Sequence, residues 1–286
     1  MWLIYALGSA LFAGVTGIFA KIGLKNIDSN LATALRTIIV LLFSWLIVFI
    51  VGAQRTIGAI STYNLLFLVL SGGASGASWL CYFKALQLGD VNKVTPVDKS
   101  STLLTILFAF MFLGEIPTVF MVFGIVLLAV GTYLMIQQRE SDEITGKSKS
   151  WLFYAVLSAV FAALTSILGK IGIVGIESNL GTAIRTIVIL LMAWSIVFMQ
   201  KKHVSIKAID KKSWVFIALS GFATGLSWLC YYRALQEGKA SLVVPIDKLS
   251  IVVTIAFSRI FLKEKLSGRA FAGLVLFVSG TALLLL

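Results

Sequence analysis

Charged residues are scarce in this chain: 13% of 286 residues, where a soluble domain carries about 25%. Hydrophobic residues make up 59%, an excess that must face lipid rather than water. With only 3 prolines and no low-complexity run, a disordered chain is excluded. His203, the single histidine, stands in a lysine-rich loop, so neither a zinc site nor a histidine-based triad can be assembled. The 2 cysteines, Cys81 and Cys230, lie in apolar segments and read as small packing residues rather than a disulfide or a metal pair. No GxxxxGK[ST] phosphate loop, HExxH, GxSxG elbow or clustered intramembrane carboxylate dyad occurs. An ATP-driven pump within the chain is therefore excluded, and no enzymatic activity, cofactor or metal is expected. Acidic residues are also few, 12 against 24 Lys and Arg, for a net charge of +12. In so apolar a chain that excess reads as loops facing anionic lipid headgroups, not as a nucleic-acid surface.

What the chain does have is an internal duplication. Trp2–Ile136 can be laid on Trp151–Leu285 without a gap. SNLATALRTI (Ser29–Ile38) matches SNLGTAIRTI (Ser178–Ile187). SGGASGASWLCYFKALQLG (Ser71–Gly89) matches SGFATGLSWLCYYRALQEG (Ser220–Gly238), and VTPVDKSS (Val94–Ser101) matches VVPIDKLS (Val243–Ser250). About half the paired positions are identical. Convergent hydrophobicity does not explain matches that include Arg, Asp, Lys, Trp and Cys at a constant offset.

A helix needs about 20 apolar residues to cross the hydrocarbon core. The first copy predicts spans over Trp2–Ala20, Leu31–Val51, Leu65–Phe83, Val94–Leu113 and Val119–Ile136. The second predicts Trp151–Gly169, Leu180–Met199, Trp214–Tyr232, Leu242–Leu262 and Ala270–Leu286. Met1–Ala20 is not read as a signal peptide: it lacks a basic n-region, and its equivalent recurs at Trp151. The expected organisation is a first repeat over 1–136, a polar linker over 137–150 and a second repeat over 151–286. Five spans per copy is an odd number, so the second copy must insert upside down. The expected fold is an all-α membrane protein of ten transmembrane helices, arranged as two five-helix inverted-topology repeats. One set of loops collects most Lys and Arg, including Lys147, Lys149, Lys201, Lys202, Lys211 and Lys212. The other holds Arg55, Lys170, Arg233 and Lys239. The positive-inside rule places the first set in the cytoplasm and both termini outside.

These segments resemble the drug/metabolite transporter superfamily, in particular its EamA-type members. The carriers are Lys21 followed by SNLATALR, SWLCYFKAL in the third helix, PVDKSS opening the fourth and FLGE (Phe112–Glu115) closing it. The second copy departs at FLKE (Phe261–Glu264), where Lys263 replaces the glycine. The resemblance covers both halves. It implies a ten-helix carrier of small metabolites or drugs, often an exporter, with no ATPase of its own. It also implies cytoplasmic termini, opposite to the loop-charge reading.

Charges inside a span are costly, about 2.5–3.5 kcal/mol each at mid-helix. Six stand out: Arg36, Asp98 and Lys99, with their equivalents Arg185, Asp247 and Lys248. Each lies about 8–9 Å inside its helix at 1.5 Å per residue. Inversion sends one trio toward each membrane face. Two readings stand: each Asp–Arg pair is a gate of a shared cavity, or each is a static tie between helices two and four. Pro96 and Pro245 mark an irregular first turn of helices four and nine. Trp79, Tyr82, Trp228 and Tyr231 form symmetric aromatic pairs, read as cavity walls able to hold an organic cation or as interfacial packing. Gly72, Gly76, Gly221 and Gly225 read as close-packing positions. Glu115 and Glu264 oppose the dipole at helix ends and call for basic partners.

The reading is a multi-pass protein of the cell membrane, a secondary transporter working by alternating access. A cavity with both charge signs suits amino acids and organic cations alike. Expected partners are a small-molecule substrate, the lipid bilayer and a coupling proton on Asp98 or Asp247, with no nucleic acid. The chain is expected as a monomer or a homodimer. A lipid or lipid-precursor flippase and a non-transporting scaffold are the alternatives.

Overall fold

A computed structural model of the chain describes residues 1–23, 27–88, 94, 97, 98, 100–135, 150–261 and 267–286. Side chains at 20, 21, 23, 83, 86, 87 and 258–261 fall outside that description. So do Pro96, Lys99, Glu264 and, apart from Ser150, the predicted linker. The first copy forms α1 (Trp2–Gly23), α2 (Ser29–Ile50), α3 (Thr62–Leu88), α4 (Ser101–Phe112) and α5 (Val119–Met135). The second forms α6 (Ser150–Gly172), α7 (Ser178–Met199), α8 (Lys211–Glu237), α9 (Ala240–Asp247), α10 (Ser250–Phe261) and α11 (Gly268–Leu283). Short 3₁₀ turns, Ala53–Ala59 and Lys202–Ala208, follow α2 and α7.

Seven spans are long and apolar enough to cross a membrane, with α9 and part of α10 counted as one, and α4, α5 and α11 are shorter apolar helices. Large apolar side chains cover the outside, among them Leu42 (67% exposed), Phe123 (61%) and Leu191 (64%). In water such a surface would aggregate; in a bilayer it is solvated.

Local sequence sets the helix starts in matched pairs. Asp28 accepts from the backbone N–H of Asn30 (3.0 Å) and Leu31 (3.2 Å) to cap α2. Its equivalent Glu177 caps α7 through Leu180 (3.0 Å). Ser61 and Asp210 cap α3 and α8, and Thr118 and Ser267 do the same for α5 and α11. The caps differ in residue type but satisfy the same unpaired first-turn donors. Helices α3 and α8 have 27 residues each, longer than the apolar runs predict. At about 40 Å they extend past the hydrocarbon core.

The ninth span is not one helix. It divides at Lys248–Leu249 into α9 and α10. Tight i→i+3 bonds span the break, from Leu249 N to Ile246 O (2.9 Å), Ile251 N to Lys248 O (3.2 Å) and Val252 N to Leu249 O (2.9 Å). Pro245 lies inside α9 rather than in a first turn, because the helix starts earlier, at Ala240. The break falls three residues beyond Pro245, whose missing N–H leaves Ser241 O without its helical donor one turn before the proline.

Equivalent helices of the two copies cross antiparallel. At one end of the α2–α7 pair Asn30 Nδ2 donates to Gln200 Oε1 (2.7 Å); at the other, Val48 packs with Leu180 and Ala183. In the α5–α11 pair Gly124 meets Gly280 and Gly131 meets Gly273. Crossings of this kind are what inverted repeats require. The fold is an all-α membrane protein of two five-span, inverted-topology repeats. Its most extensive pairs, α3–α6, α1–α8, α5–α11 and α2–α7, all join one repeat to the other.

Glycine makes these approaches possible. A Cβ on Gly131 would stand 2.6 Å from Phe277 N and 2.7 Å from Gly273 O. On Gly72 it would lie 2.9 Å from Arg185 O, and on Gly76 2.6 Å from Met192 Cβ. Gly221 and Gly225 meet Ile39 and Phe43 in the same way, so all four read as close-packing positions pack closely. Before the 3₁₀ turns, Gly52 (φ 75°) and its equivalent Lys201 (φ 57°) are both left-handed, a conformation that strains any residue with a Cβ.

Two outcomes follow. Gly131→Leu is expected to separate α5 from α11 and give aggregated protein on size exclusion in detergent; a monodisperse variant with unchanged melting would contradict this packing. Lys201→Gly is expected to raise the thermal midpoint, because it relieves about 1–2 kcal/mol of left-handed strain and loses only part of that to the greater chain entropy of glycine.

Candidate functional site

A cavity of about 340 Å³ lies where the repeats interlock. Its walls come from α1 (Ala13), α3 (Ser75, Ser78, Trp79), α6 (Ala162, Thr165, Ser166), α7 (Arg185) and α8 (Ser227, Trp228, Tyr231, Tyr232). Asp247, Lys248 and Ser250, at the α9–α10 break, complete it. The spacing on α3 and α8 is the three-and-four pattern of a single helical face.

Arg185 is 2% exposed. Its Nε donates to Ser71 Oγ (3.3 Å) and Nη2 to Ser75 Oγ (2.9 Å). The hydroxyl of Ser71 donates to Thr165 O (2.7 Å) and that of Ser75 to Ser71 O (3.1 Å), so both serines turn lone pairs to the guanidinium. The Arg185 Cζ lies 4.4 Å from the Tyr232 ring centre and 5.5 Å from that of Trp228. Among the described residues no carboxylate stands within ion-pair distance of it. Hydroxyls and ring faces compensate such a charge only in part; a buried ion left without its counter-ion costs about 3–5 kcal/mol.

Asp247 is held differently. Ser9 Oγ donates to its Oδ1 (2.5 Å), Ser9 and Ser227 hydroxyls are 3.3 Å apart, and Lys248 Nζ is 3.6 Å from Oδ2. The arrangement recurs at Asp98, which accepts from Ser158 Oγ (3.0 Å), itself 3.3 Å from Ser78 Oγ. Each aspartate is thus bonded to the first helix of the opposite repeat. Only Asp247 of the two lines the cavity.

The expected Asp–Arg pairs are not formed among the described residues. Asp247 is occupied by Ser9 and Lys248, while Arg185 points to the serines of α3. Arg36 reaches Ser220 Oγ at 3.5 Å beside a void of about 10 Å³, away from the cavity. Lys99 lies outside the described residues. Trp79, Trp228 and Tyr231 stand on the cavity wall, Tyr231 with its hydroxyl 2.8 Å from Ser166 Oγ. Tyr82 packs instead with Ala85, Val94 and Ala155. Tyr232 and the serines at 71, 75, 78, 166 and 227 were not marked by sequence reading. The signal for Ser75, Ser78 and Ser227 is a hydroxyl stripe one and four residues before each tryptophan, at Ser75 and Ser78 and again at Thr224 and Ser227.

Residues 1–137 and 149–286 match the family model described as EamA-like transporter family. The chain belongs to the EamA-like transporter family. It is accordingly a membrane transporter of the drug/metabolite transporter superfamily, a multi-pass protein of the cell membrane. It is 48% identical to an uncharacterized transporter in the cobO 3′ region of a Sinorhizobium species, over 138 residues that make up 48% of this chain and 97% of that one. An uncharacterized Bacillus subtilis transporter, YxxF, is 25% identical over 210 residues, 73% of this chain and 66% of that protein. A solved crystal structure shares the fold with a TM-score of 0.75 at 17% identity, covering 99% of this chain and 95% of that one.

In this EamA-like chain Asp247 rides on a short helix that is pinned at its other end. Glu115, 7% exposed, accepts from the backbone N–H of Ala240 (2.7 Å) and Ser241 (3.0 Å) and from the Ser241 hydroxyl. Lys170 lies 3.9 Å away and donates to the carbonyls of Leu235 and Gly238, ending α8. The basic partner expected for Glu115 is therefore Lys170, from α6. Glu115→Ala leaves three donors unpaired and is expected to destabilise the protein by about 2–3 kcal/mol, with Glu115→Gln milder. Unchanged thermal unfolding of the alanine variant would count against the pin.

Proposed function

We propose that the protein is a secondary active transporter that exports a small amphipathic metabolite by alternating access of its two inverted repeats. The observation that carries this reading is an inequality between equivalent residues. Arg185 lines the cavity of about 340 Å³, whereas among the described residues its equivalent Arg36 lies away from that cavity, beside a void of about 10 Å³. Equivalent arginines in nearly the same sequence thus have different surroundings in one molecule. Exchanging them between the repeats would close the present cavity and open its counterpart toward the other face, at little net cost because the two states are built from similar parts. Paired hydroxyl contacts at equivalent places, Ser9 with Ser227 and Ser158 with Ser78, provide the same hinge contacts in either state.

The test is thiol labelling. In a Cys81→Ser, Cys230→Ser background, Ser75→Cys on the cavity wall is expected to react with a membrane-impermeant thiol reagent from one face. Thr224→Cys, its equivalent, does not line the cavity and is expected to react from the opposite face during turnover. Labelling is compared in right-side-out and inverted vesicles. Reaction of both from the same face, or no reaction at position 224, would reject alternating access.

A further inference from the structure

Resting on the reading of this cavity as the substrate site, we propose that the substrate is a monoanionic carboxylate with an apolar or planar body, its carboxylate seated on Arg185. A guanidinium has five N–H donors. Those of Arg185 reach two serine hydroxyls, through Nε and Nη2, and Nη1 has no partner among the described residues. The planar fork of arginine matches a carboxylate with two parallel bonds.

Charge balance narrows the class. Among the described residues the cavity is lined by two cations, Arg185 and Lys248, and one carboxylate, Asp247. Lys248 and Asp247 are paired at 3.6 Å, which leaves one positive charge uncompensated. A substrate of net charge −1 neutralises it. An organic cation would set a second positive charge beside a buried arginine, and a dianion would overshoot and meet Asp247. Trp79 and Trp228 on opposite repeats supply the surface for the body of the molecule. The volume suits a small metabolite.

The experiment measures binding, not transport. The purified full-length protein is titrated calorimetrically with four compounds that share one ring: phenylacetate, phenylacetamide, phenethylamine and phenyl phosphate. Phenylacetate is expected to bind at least tenfold more tightly than the other three. Arg185→Gln is expected to weaken phenylacetate at least tenfold, and Arg185→Lys to retain part of it. If the glutamine variant does not fold, the wild-type charge series still decides. Equal or tighter binding of the amide, the amine or the phosphate ester overturns the proposal, as does binding of none of the four or an Arg185→Gln variant with unchanged affinity. Carboxylate binding without two-sided labelling would sink alternating access and leave this site standing; the reverse result would sink only the carboxylate.

Discussion

Between apolar helices surrounded by lipid there is no hydrophobic force to bring one to another. Association rests on close backbone approach and on hydrogen bonds from one helix to the next. Both are concentrated where the two repeats meet. Gly131 and Gly280 allow α5 and α11 to touch along their backbones, and Gly72 and Gly221 do the same for α3 on α7 and α8 on α2. Ser78–Ser158 and Ser9–Ser227 tie the remaining pairs. Each contact occurs twice because the chain is duplicated, and each joins opposite repeats because the copies are inverted.

The same polar contacts supply the site. The hydroxyls that tie α3 to α6 also receive the Arg185 guanidinium, so its position depends on how the repeats dock. Asp247 stands at the end of an eight-residue helix fixed at its start by Glu115, a residue of the other repeat. A shift of α6 against α3, or of Glu115 against α9, therefore moves a charge in the cavity. Coupling of this kind needs only packed elements with two arrangements, not a separate signalling path.

Much of the architecture was legible in the sequence. The duplication gave the repeats, the odd span count gave their inversion, and the glycines on one face of α3 and α8 gave the close contacts. The site was legible only in part. Arg185, Trp79 and Trp228 stood out by charge or by symmetry, yet the segments that carry Arg36 and Arg185 are nearly alike and do not say which of the two lines the cavity. The serines were passed over because hydroxyls in a membrane helix are ordinary and bond to their own backbone. Tyr232 was hidden by asymmetry: its equivalent is Phe83, so no repeat match draws attention to it. The α9–α10 break was placed too early because proline marks a helix start as readily as an interior interruption.

The dominance of pairs between repeats bears on how the protein forms. The first repeat enters the bilayer before its partners have been synthesised. Until α6 to α11 follow, the glycine faces of α3 and α5 and the serines of α1 and α3 meet only lipid or each other. Native structure in the first half must therefore wait for the second, and assembly proceeds by long-range pairing rather than by successive local hairpins. For this chain the linker between copies is crossed first and the fold is completed afterwards, with the last helix, α11, the one that gives α5 its neighbour.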